Sequence, residues 1–283
     1  MYIITHRGLD AESHHQFTES SKEAFAHFLN DGFGIEFDIR ITSDDVAVIS
    51  HDESLSRLTH DAVSAIAHNT VDTFLQTPLQ NGSPVTLEEL IALMSEAPTG
   101  KHTFHALHLK HHNQTPDELE KILPYLAQLT ALPILIFDAT PASAQIIKEQ
   151  VPELLLAASV AHPYDIERYG GAVGDTLVSV SDMEKYTDRY DWVWLDEWDR
   201  TDIHNREKAL YTEETFASLH ALGYKIAVVS PELHHTSPKL LGGEAHPDAT
   251  NDESLEKRWG EIITLQPDAI CTDYPYRLKK LAS

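Results

Sequence analysis

The sequence predicts a closed α/β barrel of the (β/α)8 TIM type, with a small hairpin inserted after the second strand. Three observations lead there. Eight β-rich runs alternate with helical segments, a pattern that calls for a mostly parallel sheet. The chain has 283 residues, a length at which eight such units close on themselves. No G-x-G-x-x-G follows the first run, which removes the dinucleotide-binding form of an open sheet. With no internal repeat or low-complexity linker, residues 1–283 read as a single domain.

Tyr2-Ile3-Ile4-Thr5 is a short apolar strand running into His6-Arg7-Gly8. Ser20 or Ser21 can cap a helix through Asn30. Glu23 lies in its first turn, Ala24, Phe25, Phe28 and Leu29 form its apolar stripe, and Asp31-Gly32 ends it. From Gly34 the chain alternates strictly. Ile35, Phe37, Ile39 and Ile41 fall on one strand face, and Glu36, Asp38 and Arg40 on the other. Ser43-Asp44-Asp45 turns the chain into a second β-rich run, Val46 to Ser50, which ends in His51-Asp52. Residues 53–85 read as irregular and turn-rich, until Thr86 caps a helix from Leu87 to Glu96.

A strand at Phe104–Lys110, a helix from about Pro116 to Leu129 and a strand at Pro133–Asp138 follow. Pro141 suits the first turn of a helix to Gln150, since it has no N–H to leave unpaired. A strand at Leu154–Val160 leads to a mixed segment through Tyr190, then to a strand at Trp192–Trp198. Thr212 caps a helix to Leu222, Gly223 stops it, and Lys225–Ser230 is the next strand. A polar loop from Pro231 to about Asp252 precedes a helix ending near Leu265. Ala269–Thr272 is the last strand, with a closing helical turn or two over Tyr276–Leu281.

Composition narrows the function. A hydrophobic share of 42% supports a sizeable core. The 45 acidic and 21 basic residues give a formal charge of −24, which repels nucleic acids and anionic membrane surfaces. No apolar run approaches ~18 residues, so no stable membrane insertion is expected. The lone Cys271 excludes an internal disulfide framework and fits a reducing compartment. No charged-then-apolar leader precedes Tyr2, and a cytoplasmic location is the expectation. Histidine is abundant: there are 18, five of them between His102 and His112. Oligomeric state is left open.

In barrels of this type chemistry sits at the carboxyl ends of the strands. Those ends carry His6-Arg7, Glu36 and Asp38, His108 and Lys110, Asp138, Asp196 and Glu197, Ser230 to Glu232, and Thr272-Asp273. Two carboxylates on one strand face, with a histidine at the end of the next run, have the makings of a metal site with an acid/base beside it.

Several short motifs combine across the chain: His6-Arg7-Gly8, the helix start Thr18-Glu19-Ser20-Ser21-Lys22-Glu23-Ala24-Phe25, and Glu36-x-Asp38 followed by a hairpin and His51-Asp52. Leu55, Arg57 and Thr59 continue the series, then Val85-Thr86-Leu87-Glu88-Glu89 and the closing Thr272-Asp273-Tyr274-Pro275. Together they resemble the glycerophosphodiester phosphodiesterase family, whose members are metal-dependent barrels that hydrolyse glycerophosphodiesters. The resemblance implies a small-molecule phosphodiester substrate and one divalent cation, calcium or magnesium, bound by Glu36 and Asp38. It makes His6 and His51 the acid/base pair, a role imidazole fills near neutral pH. Arg7 and Lys110 become phosphate ligands, the first fork-shaped and the second compact. Arg7 has an alternative reading, as an interior ion-pair partner of Glu36 or Asp38.

Three departures from the family pattern stand out. On the third barrel strand the family's E-x-K is replaced by His108-Leu109-Lys110. As a metal ligand His108 would favour manganese, cobalt or zinc; if it only hydrogen-bonds, Asp196, Glu197 or water would complete the cation. Val229-Ser230-Pro231 replaces the usual W-T-x-N, and the sixth strand is rich in tryptophan. Those tryptophans read either as core or as a head-group pocket beside carboxylates. The long loop 231–252 is a candidate lid, with Gly242-Gly243 as a hinge. Two other functions compete. A zinc amidohydrolase would want H-x-H at the first strand end, where this chain has His6-Arg7-Gly8. A non-catalytic barrel that binds a phosphate ligand would follow if the change at His108 marks a degraded metal site.

Overall fold

A computed structural model of the chain describes residues 1–13, 16–59, 61–98, 103–241 and 246–283. Eight parallel strands close into a barrel: β1 (Tyr2–His6), β2 (Gly34–Ile41), β4 (His105–His108), β5 (Ile134–Phe137), β6 (Leu155–Val160), β7 (Trp192–Leu195), β8 (Lys225–Val229) and β9 (Ala269–Thr272). Closure is direct, because β1 pairs with β2 on one side and with β9 on the other, all in parallel. The expected hairpin is β3 (Ala47–Ile49), antiparallel to β2, with Ile39 opposite Ile49. The (β/α)8 class with its hairpin insertion is therefore the observed fold.

Alternation of side chains along the strands builds two cores. Inward residues such as Ile4, Ala106, Leu135, Ala157, Trp192 and Ala269 fill the barrel. Outward residues, including Ile35, Phe37 and Ile39, pack against the surrounding helices. The helices are α1 (Lys22–Asn30), α2 (Val71–Leu75), α3 (Leu87–Glu96), α4 (Pro116–Gln128), α5 (Pro141–Gln150), α6 (Pro163–Tyr169), α7 (Glu213–Ala221), α8 (Leu233–Thr236), α9 (Asp252–Thr264) and α10 (Pro275–Leu281). Expected caps form. Ser21 accepts from the Ala24 N–H, and Thr86 and Glu89 close a reciprocal capping box. No helix among the described residues is long and apolar enough to cross a membrane.

Several bounds differ from expectation. The strands at 104–110 and 192–198 are shorter, His105–His108 and Trp192–Leu195, because their polar ends leave the ladder for the mouth of the barrel. Residues 53–85 are not wholly irregular. Thr70 caps the five-residue α2, and Val48, Leu55, Leu58, Ile66 and Phe74 form a satellite core beneath it. A helix that short carries no readable period. The 231–252 loop contains α8 and packs down: Glu232, Leu233 and His234 are buried, and Trp198 Nε1 donates to the Leu241 carbonyl at 3.2 Å. The proposed hinge Gly242-Gly243 lies outside the described residues, as does His102.

Candidate active site

Register brings the candidate residues to one end of the barrel. His6 pairs with Glu36 across β1 and β2, and Asp38 with His108 across β2 and β4. His6, Arg7, Glu36, His51, His108 and Lys110 all line one cavity of about 550 Å³ at the carboxyl ends of the strands, a volume suited to a small ligand. Asp38 lies directly beneath, fully buried.

Glu36, Asp38 and His108 each offer a ligand atom within 4.8 Å of the others. The electrostatics around them are tense. Burial, together with the neighbouring Asp38 charge, raises the pKa of Glu36 above the usual carboxylate range. Burial would raise Asp38 as well, but Lys110, His51 and His108 outweigh it and hold its carboxyl well below that range. Lys110 Nζ and His108 Nδ1 each lie 2.9 Å from Asp38 Oδ1. Asp38 Oδ2 is buried and has no hydrogen-bond partner among the described residues. A buried carboxylate oxygen without a donor is costly unless a cation meets it. Two carboxylates, an imidazole and that orphaned oxygen fit a divalent ion.

Both proposed acid/base histidines are anchored through Nδ1. His6 Nδ1 lies 2.7 Å from Ser237 Oγ and 3.4 Å from Asp273 Oδ1, while its Nε2 lies 3.8 Å from Glu36. Ser237 and Thr236 in turn donate to Asp273 at 2.5 and 2.6 Å. His51 Nδ1 lies 2.9 Å from Asp52 Oδ1, and Arg57 Nε donates to the other Asp52 oxygen at 2.7 Å. Burial, against the pull of Asp38 and Asp52, lowers the His51 pKa to about 4.

Arg7 is 1% exposed, and its Nη1 donates to the Pro238 carbonyl at 2.7 Å and faces Glu19 at 3.4 Å. Its ion-pair partner is thus Glu19, which also holds Arg57, and not Glu36 or Asp38. Of the alternative cation ligands, Glu197 is turned away: it pairs with Arg258 at 2.7 Å and accepts the Leu210 and Tyr211 N–H groups. Asp196 lines the cavity but is engaged with His234 at 3.0 Å.

The cavity has a second wall. The rings of His108, Phe137 and Trp194 form one stack, with centroids 4.8 and 4.1 Å apart and planes within 10°. Trp198, Leu233, Leu240 and Leu241 extend it. The tryptophans divide between the two readings: Trp192 belongs to the barrel interior, whereas Trp194 and Trp198 are buried but line the cavity. Two neighbours were given no role from the sequence, where Asp138 is a polar strand end and Asp273 part of the closing Thr272-Asp273-Tyr274-Pro275 motif. Asp273 backs His6, and Asp138 lies 3.2 Å from His108 Nε2.

Residues 6–148 match the model of the glycerophosphoryl diester phosphodiesterase family. The chain belongs to that family. Its fold matches solved members at low sequence identity. A glycerophosphoryl diester phosphodiesterase from Parabacteroides distasonis aligns at 20% identity and a TM-score of 0.65, over 99% of this chain and 85% of that one. The Thermotoga maritima glycerophosphodiester phosphodiesterase aligns at 19% identity and 0.59, over 99% and 98%. An Oleispira antarctica phosphodiesterase, solved with the product sn-glycerol-3-phosphate, aligns at 18% identity and 0.63, over 99% and 96%. No curated protein sequence matches. Family membership makes this chain a phosphoric diester hydrolase whose candidate metal site is Glu36, Asp38 and His108.

Proposed function

We propose that this enzyme hydrolyses a small glycerophosphodiester-like substrate to a phosphomonoester and an alcohol, with His6 and His51 as the acid/base pair. The observation that carries this reading is the shared cavity: His6, held at Nδ1 by Ser237 with Asp273 behind it, and His51, held at Nδ1 by Asp52, border the same space as the Glu36–Asp38–His108 cluster. In both, the Nδ1 contact leaves Nε2 as the nitrogen for proton transfer. One imidazole accepts the proton of the attacking nucleophile as the new P–O bond forms. The other protonates the departing alkoxide as the old P–O bond breaks.

A divalent ion held by Glu36, Asp38 and His108 would neutralise a phosphate oxygen and stabilise charge developing at phosphorus. Lys110 and Arg7 line the same cavity and would serve as its phosphate ligands. The aromatic wall of Phe137, Trp194 and Trp198 suits the alcohol portion of the diester. Replacing His6 or His51 by alanine is expected to lower turnover about a hundredfold or more, in line with ordinary acid/base contributions. Circular dichroism should show the fold intact. Near-normal turnover in either variant removes that histidine from the mechanism.

A further inference from the structure

We propose that Asp138 fixes the proton of His108 on Nε2, so that Nδ1 faces the Glu36–Asp38 cluster as a nitrogen ligand and biases the site toward zinc, cobalt or manganese over calcium and magnesium. This rests on the reading that Glu36, Asp38 and His108 hold one divalent ion. His108 lies between two carboxylates: Nδ1 is 2.9 Å from Asp38 Oδ1, and Nε2 is 3.2 Å from Asp138 Oδ2. A neutral imidazole carries one N–H. With that proton donated to Asp138, Nδ1 has one lone pair, and a proton bridging the 2.9 Å to Asp38 and a divalent ion compete for it. A metal-ligating histidine that donates its other N–H to a carboxylate is the recurring arrangement in which this competition is resolved toward the ion.

The surroundings hold the geometry. Stacking on Phe137, with planes 10° apart, fixes the His108 ring. Asp138 itself sits at φ +69°, a left-handed conformation that aspartate and asparagine tolerate better than other side chains. Gln114 clamps it there. Its Nε2 donates to the Leu109 and Asp138 carbonyls at 2.8 and 2.7 Å, and its Oε1 accepts the Thr140 N–H at 2.8 Å. The ends of β4 and β5 are thus tied together, with Asp138 held beside the imidazole. An imidazole nitrogen among the ligands favours borderline over hard cations.

Calorimetric titration of the full chain with Zn2+, Co2+, Mn2+, Ca2+ and Mg2+ tests this, with the visible spectrum of the Co2+ form as a second readout. The wild type should bind Co2+ and Zn2+ more tightly than Ca2+. Asp138→Asn, which keeps the shape and suits the backbone, should weaken Co2+ binding 10- to 100-fold and leave Ca2+ binding nearly unchanged. His108→Glu should reverse the ion order and make Asp138→Asn silent for Co2+. An Asp138→Asn affinity within threefold of wild type, while Glu36→Gln still weakens binding, overturns the role of Asp138 and spares the metal site. Nitrogen NMR of the Zn2+ form showing both His108 nitrogens protonated also overturns it, since the residue would then be a cationic bridge. Absence of binding by wild type and Glu36→Gln alike sinks both this proposal and the metal reading beneath it.

Discussion

His105 and His108 lie on the same strand, and the faces they occupy give them opposite fates. His108 points into the barrel among carboxylates. His105 points outward, is fully buried, and accepts the Ile35 N–H through Nδ1 at 3.3 Å. Burial lowers its pKa to about 4. The sign follows from linkage: below the unfolded value of 6.5, the unfolded chain takes up this proton before the folded one does. The neutral side chain's contribution is complete above pH ~6.5 and is lost as the pH falls toward 4. At pH 5 the loss is about 2 kcal/mol. His105→Gln keeps an acceptor for Ile35 but cannot titrate. Urea denaturation at pH 8 and pH 5 should show wild-type stability falling further than the variant's by roughly that amount. Equal acid losses in the two proteins would mean that His105 does not titrate as its burial requires.

At the scale of elements, β2 is the strand everything else is set against, and its first residue has no room to vary. A Cβ placed on Gly34 would lie 1.9 Å from the Phe104 carbonyl oxygen, a backbone atom on the approach to β4. Relief would require β2 and β4 to separate where Glu36, Asp38 and His108 are brought into register. Gly34→Ala should therefore cost about 3 kcal/mol or more, at the upper end for overpacking, and should weaken metal binding along with stability. Unchanged melting temperature would show that the two strands can part freely. Much of this element was legible in the sequence. The strict alternation over Ile35–Ile41 gave the face carrying Glu36 and Asp38, and α5 runs from Pro141 to Gln150, as expected with the proline at its start. The roles of Asp138 and Asp273 were not legible. Asp273 acts on His6, which barrel closure sets beside it; Asp138 acts on His108 of the neighbouring strand, and nothing within a few residues of Asp138 marks it.

Across the whole molecule, charge is distributed so that near and far fields oppose one another. The chain carries a net −24, yet its cavity is lined by Arg7, Arg40, Lys110 and Lys239. Those cations are largely spoken for: Arg7 by Glu19, Lys110 by Asp38, and Lys239 by Asp52 at 3.4 Å. Each pair looks nearly neutral from a distance, so an approaching anion meets the acidic surface first and the cationic groups only at contact. Screening extends over ~30 Å at 10 mM salt and ~10 Å at 100 mM, so added salt should quench the repulsion more than the short-range attraction. The test compares kcat/KM for an anionic diester, glycerophosphoglycerol, with that for the zwitterionic glycerophosphocholine. Their ratio should rise several-fold as ionic strength goes from ~10 to ~150 mM. A ratio that falls over that range would mean that the cavity's cations reach into solution and steer the substrate despite the acidic surface.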